Sequence, residues 1–301
     1  LTTVEIYRNR LPIHPLLGRT VLFDSRSKDY AVQPDADQQV LDIRHPQFIG
    51  ILDQGQVGAC TGNASCSCAY HSPFFVPGQA NWRYTPDEDG ARAWYHDNTA
   101  NDGYPGTWNI DGTGEDTGSD GLTSSKMAKA AGVCSGYQAA LDLDSSLRQL
   151  MKVPGITGIP WYQSMFDAPS SGLLNVDMKS GLAGGHELVV DEVVTASAPG
   201  NGTGKLLVGG DNSWNESWGA KGRWYMTADD WWKLRQAEGD VYFWVPNTEH
   251  PPAPPAPDPG DATDVSLWAA TGPFRADHHV VPHIVAAVKA LDAWGKLKGL
   301  A

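Results

Sequence analysis

The chain has 301 residues, of which 41% are hydrophobic and 19% charged. That is enough to build one large domain or two moderate ones, and it excludes global disorder. Against 35 acidic side chains stand 22 Lys and Arg, a formal net charge of -13. This excludes the basic face of a nucleic-acid binder and disfavours attraction to anionic membranes. No apolar run approaches the roughly 20 residues needed to cross a bilayer. The 12 Trp are expected to line clefts or interfaces, since an indole is seldom fully buried.

In chain order, LTTVEIYRNRLP carries no apolar signal-peptide core, and residues 1–50 read as irregular chain with short strands. The small residues of CTGNASCSCAYH, 60–71, predict a helix set deep in the domain. Residues 97–121 are rich in Gly and Asp and read as loop. A short helix is expected over Thr123 to Ala131, capped by Thr123 or Ser124, and another over Asp144 to Met151. From residue 186, HELVVDEVV, KLLVGG, GRWYMT and VYFWVP are apolar or alternating runs that predict strands. A helical first half and a strand-rich second half give an α+β fold. PPAPPAPDP at 251–259 reads as an extended spacer. Beyond it, Val281, Ile284, Val285, Val288 and Leu291 share one helical stripe that needs a partner surface. The boundaries are an N-terminal extension over 1–45, a main domain over 46–248, a Pro-rich linker over 249–263 and an amphipathic tail over 264–301. The tail is the expected docking site for a protein partner or a second copy.

Four Cys are too few for a disulfide framework in a chain this long. Cys66, Cys68 and Cys134 can supply one disulfide or remain free thiols. No second Cys or His pair completes a zinc site, and DGTGEDTGSDG at 111–121 fails the spacing of a calcium loop. No metal and no cofactor is expected.

Three positions carry chemistry. Cys60 follows the Gly-containing QGQVGAC and opens a helix, where the positive end of the dipole favours a thiolate. A lone Cys is otherwise a small buried hydrophobe. His186, after two Gly, enters an apolar strand and suits a general base in a semi-buried cleft. Asn212 in DNSWNESWG can accept from an imidazole N–H and orient the ring without adding charge. Trp214 can cover that bond.

The order Gln54-Gly55, Cys60, Gly-Gly-His186, Asn212-Ser-Trp214 and Trp218-Gly219 resembles the papain-like cysteine peptidases. DQGQVGACTGNA, LDIR at 41–44, GEDTGSDGLTSSKMAKAAGVC at 114–134, WGAKGRWYMT and VYFWVP extend the resemblance from about residue 40 to 246, nearest to a bacterial and phage-type branch. The resemblance implies a two-lobe fold, a central Cys-bearing helix in a helical lobe facing an antiparallel β lobe. It implies Cys60 as nucleophile, His186 as its base, Asn212 orienting the ring, and Gln54 with the Cys60 N–H as oxyanion donors. Gly118 and Trp214 would line the substrate cleft, and the substrate would be a peptide or protein. Gly62, Glu187 and Gly209-Gly210-Asp211 depart from the family pattern, and the two acids bear on the His186 pKa.

Other Cys–His hydrolases, the cell-wall peptide hydrolases and transglutaminases, orient their His without Asn-Ser-Trp. The reading from another class is a catalytically silent papain-fold module kept for binding. Residues 1–45 do not look like a charged helical inhibitory propeptide. With the tethered tail this suggests a component of an assembly, a phage particle or a cell-surface complex.

Overall fold

The computed structural model describes residues 4–12, 14–33, 35–78 and 82–247. The Pro-rich linker and the tail lie outside the described residues. Elements run in the order β1 (Ile6–Asn9), β2 (Val21–Asp24), β3 (Ile43–Arg44), α1 (Cys60–Ala69), α2 (Glu88–Asn101), α3 (Gly121–Ala130), β4 (Gly136–Ala139), α4 (Leu143–Leu150), β5 (Gly155–Tyr162), β6 (Leu182–Val190), β7 (Glu192–Val194), β8 (Leu207–Asp211), β9 (Arg223–Thr227), α5 (Ala228–Gln236) and β10 (Asp240–Val245). The α+β expectation holds.

All ten residues of α1 are buried, as its small side chains predict. At Gly62 a Cβ would stand 2.7 Å from the Tyr95 Cβ of α2, so the absence of a side chain lets the two helices touch. Sequence reading misses α2, which starts nine residues before the segment taken as loop and runs into it. Its cap is Asp87, whose carboxylate accepts from the Gly90 N–H at 3.0 Å. The expected Thr123 or Ser124 cap of α3 is corrected to Asp120, which accepts from the Thr123 N–H at 2.7 Å. A carboxylate in that position satisfies a free N–H and also meets the positive end of the helix. Asp142 does the same for α4.

The β lobe contains two four-stranded antiparallel sheets, β4-β10-β5-β6 and β3-β7-β8-β9. β6 and β7 are nearly continuous, so the chain passes from one sheet to the other at Asp191. The four strand runs foreseen from residue 186 are all present. β4 and β5 are additional, and α5 interrupts the run.

Trp94, Trp161, Trp224, Trp231 and Trp244 are fully buried, contrary to the expectation that the indoles line clefts. Their N–H groups explain part of this. Trp224 donates to the Val189 carbonyl at 3.1 Å, Trp231 to Thr157 Oγ1 at 3.0 Å and Trp244 to Ser125 Oγ at 3.1 Å. A buried indole so bonded keeps its apolar gain without an unsatisfied donor. All four Cys are buried free thiols.

β1 and β2 pair antiparallel, Ile6 with Asp24 through Asn9 with Val21. Of the chain between them, residues 10–12 and 14–20 leave this ribbon and cross the cleft between the two lobes.

Candidate active site

Cys60 is the first residue of α1 and His186 lies midway along β6, opposite Ile159 of β5. Asn212 follows the last residue of β8. The His186 ring donates through Nε2 to Asn212 Oδ1 at 2.7 Å, and the same oxygen accepts from the Ser213 N–H at 2.7 Å. Asn212 therefore fixes the tautomer that leaves Nδ1 free to take a proton. Nδ1 is buried with no hydrogen-bond partner among the described residues. The Trp214 ring stacks on the imidazole at 4.7 Å between centroids, and Trp161 meets it edge-on at 5.0 Å. These indoles exclude water from the His186–Asn212 bond.

Gln54 is tied to the same strand end. Its N–H donates to the Ser213 carbonyl at 2.9 Å, and its side-chain Oε1 accepts from Ser213 Oγ at 2.6 Å. Ser213 is thus a positioning residue between Asn212 and Gln54 that motif reading did not single out. With Oε1 held, the Gln54 Nε2 is turned toward acceptors, bonding the Val57 carbonyl at 2.8 Å and the Leu16 carbonyl at 3.3 Å. The loop before Cys60 is braced from within the helical lobe: Asp116, just before α3, accepts from the Gly58 N–H at 2.8 Å and from the Tyr95 hydroxyl of α2 at 2.5 Å. The Tyr95 hydroxyl in turn accepts from the Gly118 N–H at 2.9 Å.

Residues 16–20 form a strap through this site. The Leu16 carbonyl accepts from Gln54 Nε2 and from Trp214 Nε1 at 3.2 Å. The Ser119 N–H donates to the Gly18 carbonyl at 2.8 Å, and the Thr20 N–H donates to the Ser119 carbonyl at 2.7 Å, a parallel pairing about Arg19. The Arg19 N–H donates to the Gly185 carbonyl at 3.0 Å. Gly118, at φ +70°, packs so tightly on the strap that a Cβ there would collide with the Gly18 carbonyl. Both expected substrate-lining residues, Gly118 and Trp214, are therefore in contact with the strap.

Coverage sets the charge state. Burial pushes the Cys60 thiol up to about 12 against the smaller opposing pull of backbone N–H groups at Glu187 and Gly18. Burial drives His186 down to about 4, with the Asn212 bond opposing it. Burial thus favours the uncharged thiol and the uncharged imidazole in this state.

The two acids that depart from the family pattern each have a cationic partner. Asp211 accepts from Arg223 Nη1 at 2.5 Å, Ser67 Oγ at 2.9 Å and Gln47 Nε2 at 2.6 Å. Arg223 also binds Asp191 at 2.6 Å and Glu192 at 2.7 Å. His71, Asp191 and Asp211 lie within 4.8 Å of one another, but the cation between the two aspartates is the Arg223 guanidinium. Burial raises Asp191, but His71 and Arg223 outweigh it and hold the carboxyl down at about 2. Glu187, fully buried beside His186, has Arg19 of the strap as its partner at 3.8 Å.

No protein-family profile and no curated protein matches the chain. Among solved structures, it is similar to xylellain, a cysteine protease from Xylella fastidiosa, at 16% identity with a TM-score of 0.54, covering 81% of this chain and 100% of that one. It is similar to procathepsin B S9 from Trypanosoma congolense at 14% identity and TM-score 0.54, covering 78% and 87%. It also matches the proform of the ragweed pollen cysteine protease Amb a 11 at 15% identity and TM-score 0.52, covering 74% and 71%. With its Cys-bearing central helix facing an antiparallel β lobe, the chain has the papain-like cysteine protease fold.

Proposed function

We propose that the protein is a cysteine peptidase that hydrolyses peptide bonds with Cys60, His186, Asn212 and Gln54. One observation carries this reading: the cleft already binds a peptide strand, with the Leu16 carbonyl on Gln54 Nε2 and the strap backbone bonded to Ser119 and Gly185. A site that holds main-chain N–H and C=O groups in an extended lane is suited to peptides whatever their side chains.

In the open cleft the Cys60 thiol passes its proton to His186 Nδ1, and the thiolate attacks the peptide carbonyl carbon. The charge that develops on the carbonyl oxygen is met by Gln54 Nε2 and the Cys60 N–H. His186 gives the proton to the departing amine, leaving a thioester. Water, activated by the same ring, then hydrolyses the thioester and releases the acid. Asn212 keeps Nδ1 directed to the reaction throughout.

Membership of the bacterial and phage-type branch, and a place in a phage particle or cell-surface assembly, rest on DQGQVGACTGNA and on the composition of residues 249–301. The silent-module reading draws support from the neutral Cys60–His186 pair under the strap. A mixture of unstructured peptides read by mass spectrometry separates the two. Cleavage is expected from the chain with Leu17→Ala, which loosens the strap, and none once Cys60→Ala is added. Gln54→Ala in the same background should lower turnover about a hundredfold, the usual effect of losing one oxyanion donor. No cleavage by any of them would leave the binding module, and cleavage surviving Cys60→Ala would remove the nucleophile.

A further inference from the structure

The side chain that orients His186 is held at one end only. Asn212 Oδ1 accepts from His186 and from the Ser213 N–H, while Asn212 Nδ2 is buried with no hydrogen-bond partner among the described residues. The place of this amide therefore depends on its backbone. The Asn212 N–H donates to the Gly222 carbonyl at 2.9 Å, and Asp211 precedes it as the last residue of β8. Asp211 is anchored in turn. Its Oδ2 accepts from Ser67 Oγ of α1 at 2.9 Å and from Gln47 Nε2 at 2.6 Å, and its Oδ1 accepts from Arg223 Nη1 of β9 at 2.5 Å. Ser67 lies about two turns after Cys60 on the same helix. One carboxylate thus joins the helix of Cys60 to the strand end of Asn212.

His71, just past the end of α1 and fully buried, stands behind Asp211. Its Nδ1 is 2.8 Å from the Ser67 carbonyl, and its Nε2 is 3.1 Å from Asp191 Oδ2 and 3.7 Å from Asp211 Oδ2. A carbonyl oxygen can only accept, so Nδ1 carries a proton. An ionised carboxylate can only accept, so Nε2 carries one as well, and a ring protonated on both nitrogens is an imidazolium. Asp191 is kept ionised by two further bonds, from Arg223 Nη2 at 2.6 Å and Nη1 at 3.1 Å. The balance of charge agrees. Asp191, Asp211 and Glu192 face Arg223 and, at 3.9 Å from Glu192, Arg44. A positive His71 brings this cluster to neutrality, and an unbalanced charge at this depth would be costly.

Burial lowers the His71 pKa, but the hydrogen bond and charge of Asp191, with the charge of Asp211, outweigh it and leave it raised. His45, on the stretch after β3, adds no charge, since burial lowers its own pKa. Burial likewise keeps the proton on Cys68, near the two aspartates.

Resting on the peptidase reading, we propose that His71 is a positioning residue for the reaction: a buried imidazolium that, with Arg223, Asp191 and Asp211, fixes Asn212 and through it the His186 ring against the helix that carries Cys60. Without the charge on His71, two aspartates share one guanidinium. Asp211 then loses its hold on Ser67, and Asn212 loses its fixed distance from α1. Small misplacements of groups around a reacting centre are expensive in rate.

The test uses the full chain. In 15N spectra at neutral pH, His71 is expected to show the shifts of a ring protonated on both nitrogens; a neutral His71 overturns the proposal. His71→Gln keeps a donor for Asp191 but removes the charge. In the Leu17→Ala background it should lower kcat for a fluorogenic peptide about tenfold with KM unchanged. Once Asn212→Ala is also present, the same change should have an effect of less than about twofold, because the two act as one unit. An equal loss with and without Asn212→Ala makes His71 a merely structural residue and overturns the proposal.

A second readout stands apart from catalysis. The His186 Nε2 proton, bonded to Asn212 Oδ1, should exchange with water at least about tenfold faster in the His71→Gln chain. If no peptide is cleaved but this exchange quickens, the positioning role stands and the peptidase reading falls. If peptides are cleaved and neither kcat nor exchange responds to His71→Gln, the positioning role falls alone. Should His71→Gln not fold, Ser67→Ala serves, since it removes one bond to Asp211 and no charge. It should lower kcat about threefold, roughly the worth of one hydrogen bond, and only while Asn212 is present. An unchanged kcat overturns the proposal.

Discussion

At the residue scale the candidate site turns on Cys60, a wholly buried thiol whose proton is held on by that burial. Cys60, His186 and Asn212 are recognisable because each sits in a short motif whose local geometry the neighbours dictate. Glu187 and Asp211 stand out only as departures, since their partners Arg19 and Arg223 are joined to them by folding and not by sequence spacing. The state of Cys60 depends on how the strap buries it, and no local motif encodes that. With its pKa raised to about 12, the neutral thiol is the favoured form, so this covered state is fully supported below the ordinary thiol range and loses support as pH rises toward that value. Iodoacetamide should accordingly label Cys60 slowly at pH 8, about tenfold faster for each added pH unit, with no plateau below about pH 10. A plateau near neutral pH would show instead that the thiolate–imidazolium pair is already formed under the strap.

At the element scale, legibility follows how strongly side-chain periodicity reports burial. The β runs after residue 186 alternate or are wholly apolar, and α1 is marked by its small residues. α2, EDGARAWYHDNTAN, buries Ala91, Trp94, Tyr95, Asn98 and Thr99, but the polar members of that face mask the period. β5, GITGIPWY, carries two Gly and a Pro that read as breakers. It tolerates them because Gly158 opens onto the Arg19 side chain, a long-range reason. Buried charge also ties elements together. Arg223 on β9 joins Asp211 on β8 with Asp191 and Glu192 at the β6–β7 junction, and Asp211 is the neighbour of Asn212. Removing one member of such a network leaves uncompensated buried charge, so Arg223→Ala should cost about 3–5 kcal/mol, read as a lower midpoint in urea at unchanged slope. A cost below about 1 kcal/mol would mean that Asp211, whose carboxyl burial and Asp191 already raise, takes up a proton in place of the guanidinium.

At the scale of the whole molecule, the two-lobe architecture could be inferred from spaced motifs, but the covering of its cleft could not. LPIHPLLGRT has neither helical nor strand period, because the strap is held chiefly through its backbone, by Gln54, Trp214, Ser119 and Gly185. Main-chain recognition leaves little trace in side-chain pattern. On the peptidase reading, an open form must stand beside the covered one, and activity follows its population. Leu17 is the lever on that balance: it is 4% exposed, belongs to the main core cluster and lies against Gly184 of β6. Leu17→Ala removes a buried side chain, a change that costs about 2–5 kcal/mol in a core. The lost contacts belong to strap docking, so most of that cost should fall on the covered state alone. Each 1.4 kcal/mol moves the balance about tenfold, so peptide turnover and Cys60 labelling should both rise by at least about tenfold over the unaltered chain. Hydrogen exchange at the Arg19 and Thr20 amides, which donate to Gly185 and Ser119, should quicken in step while the amides of α1 keep their protection. If the Tm drops but turnover, labelling and strap exchange stay as they were, Leu17 is an ordinary core residue and the strap does not govern access to the site.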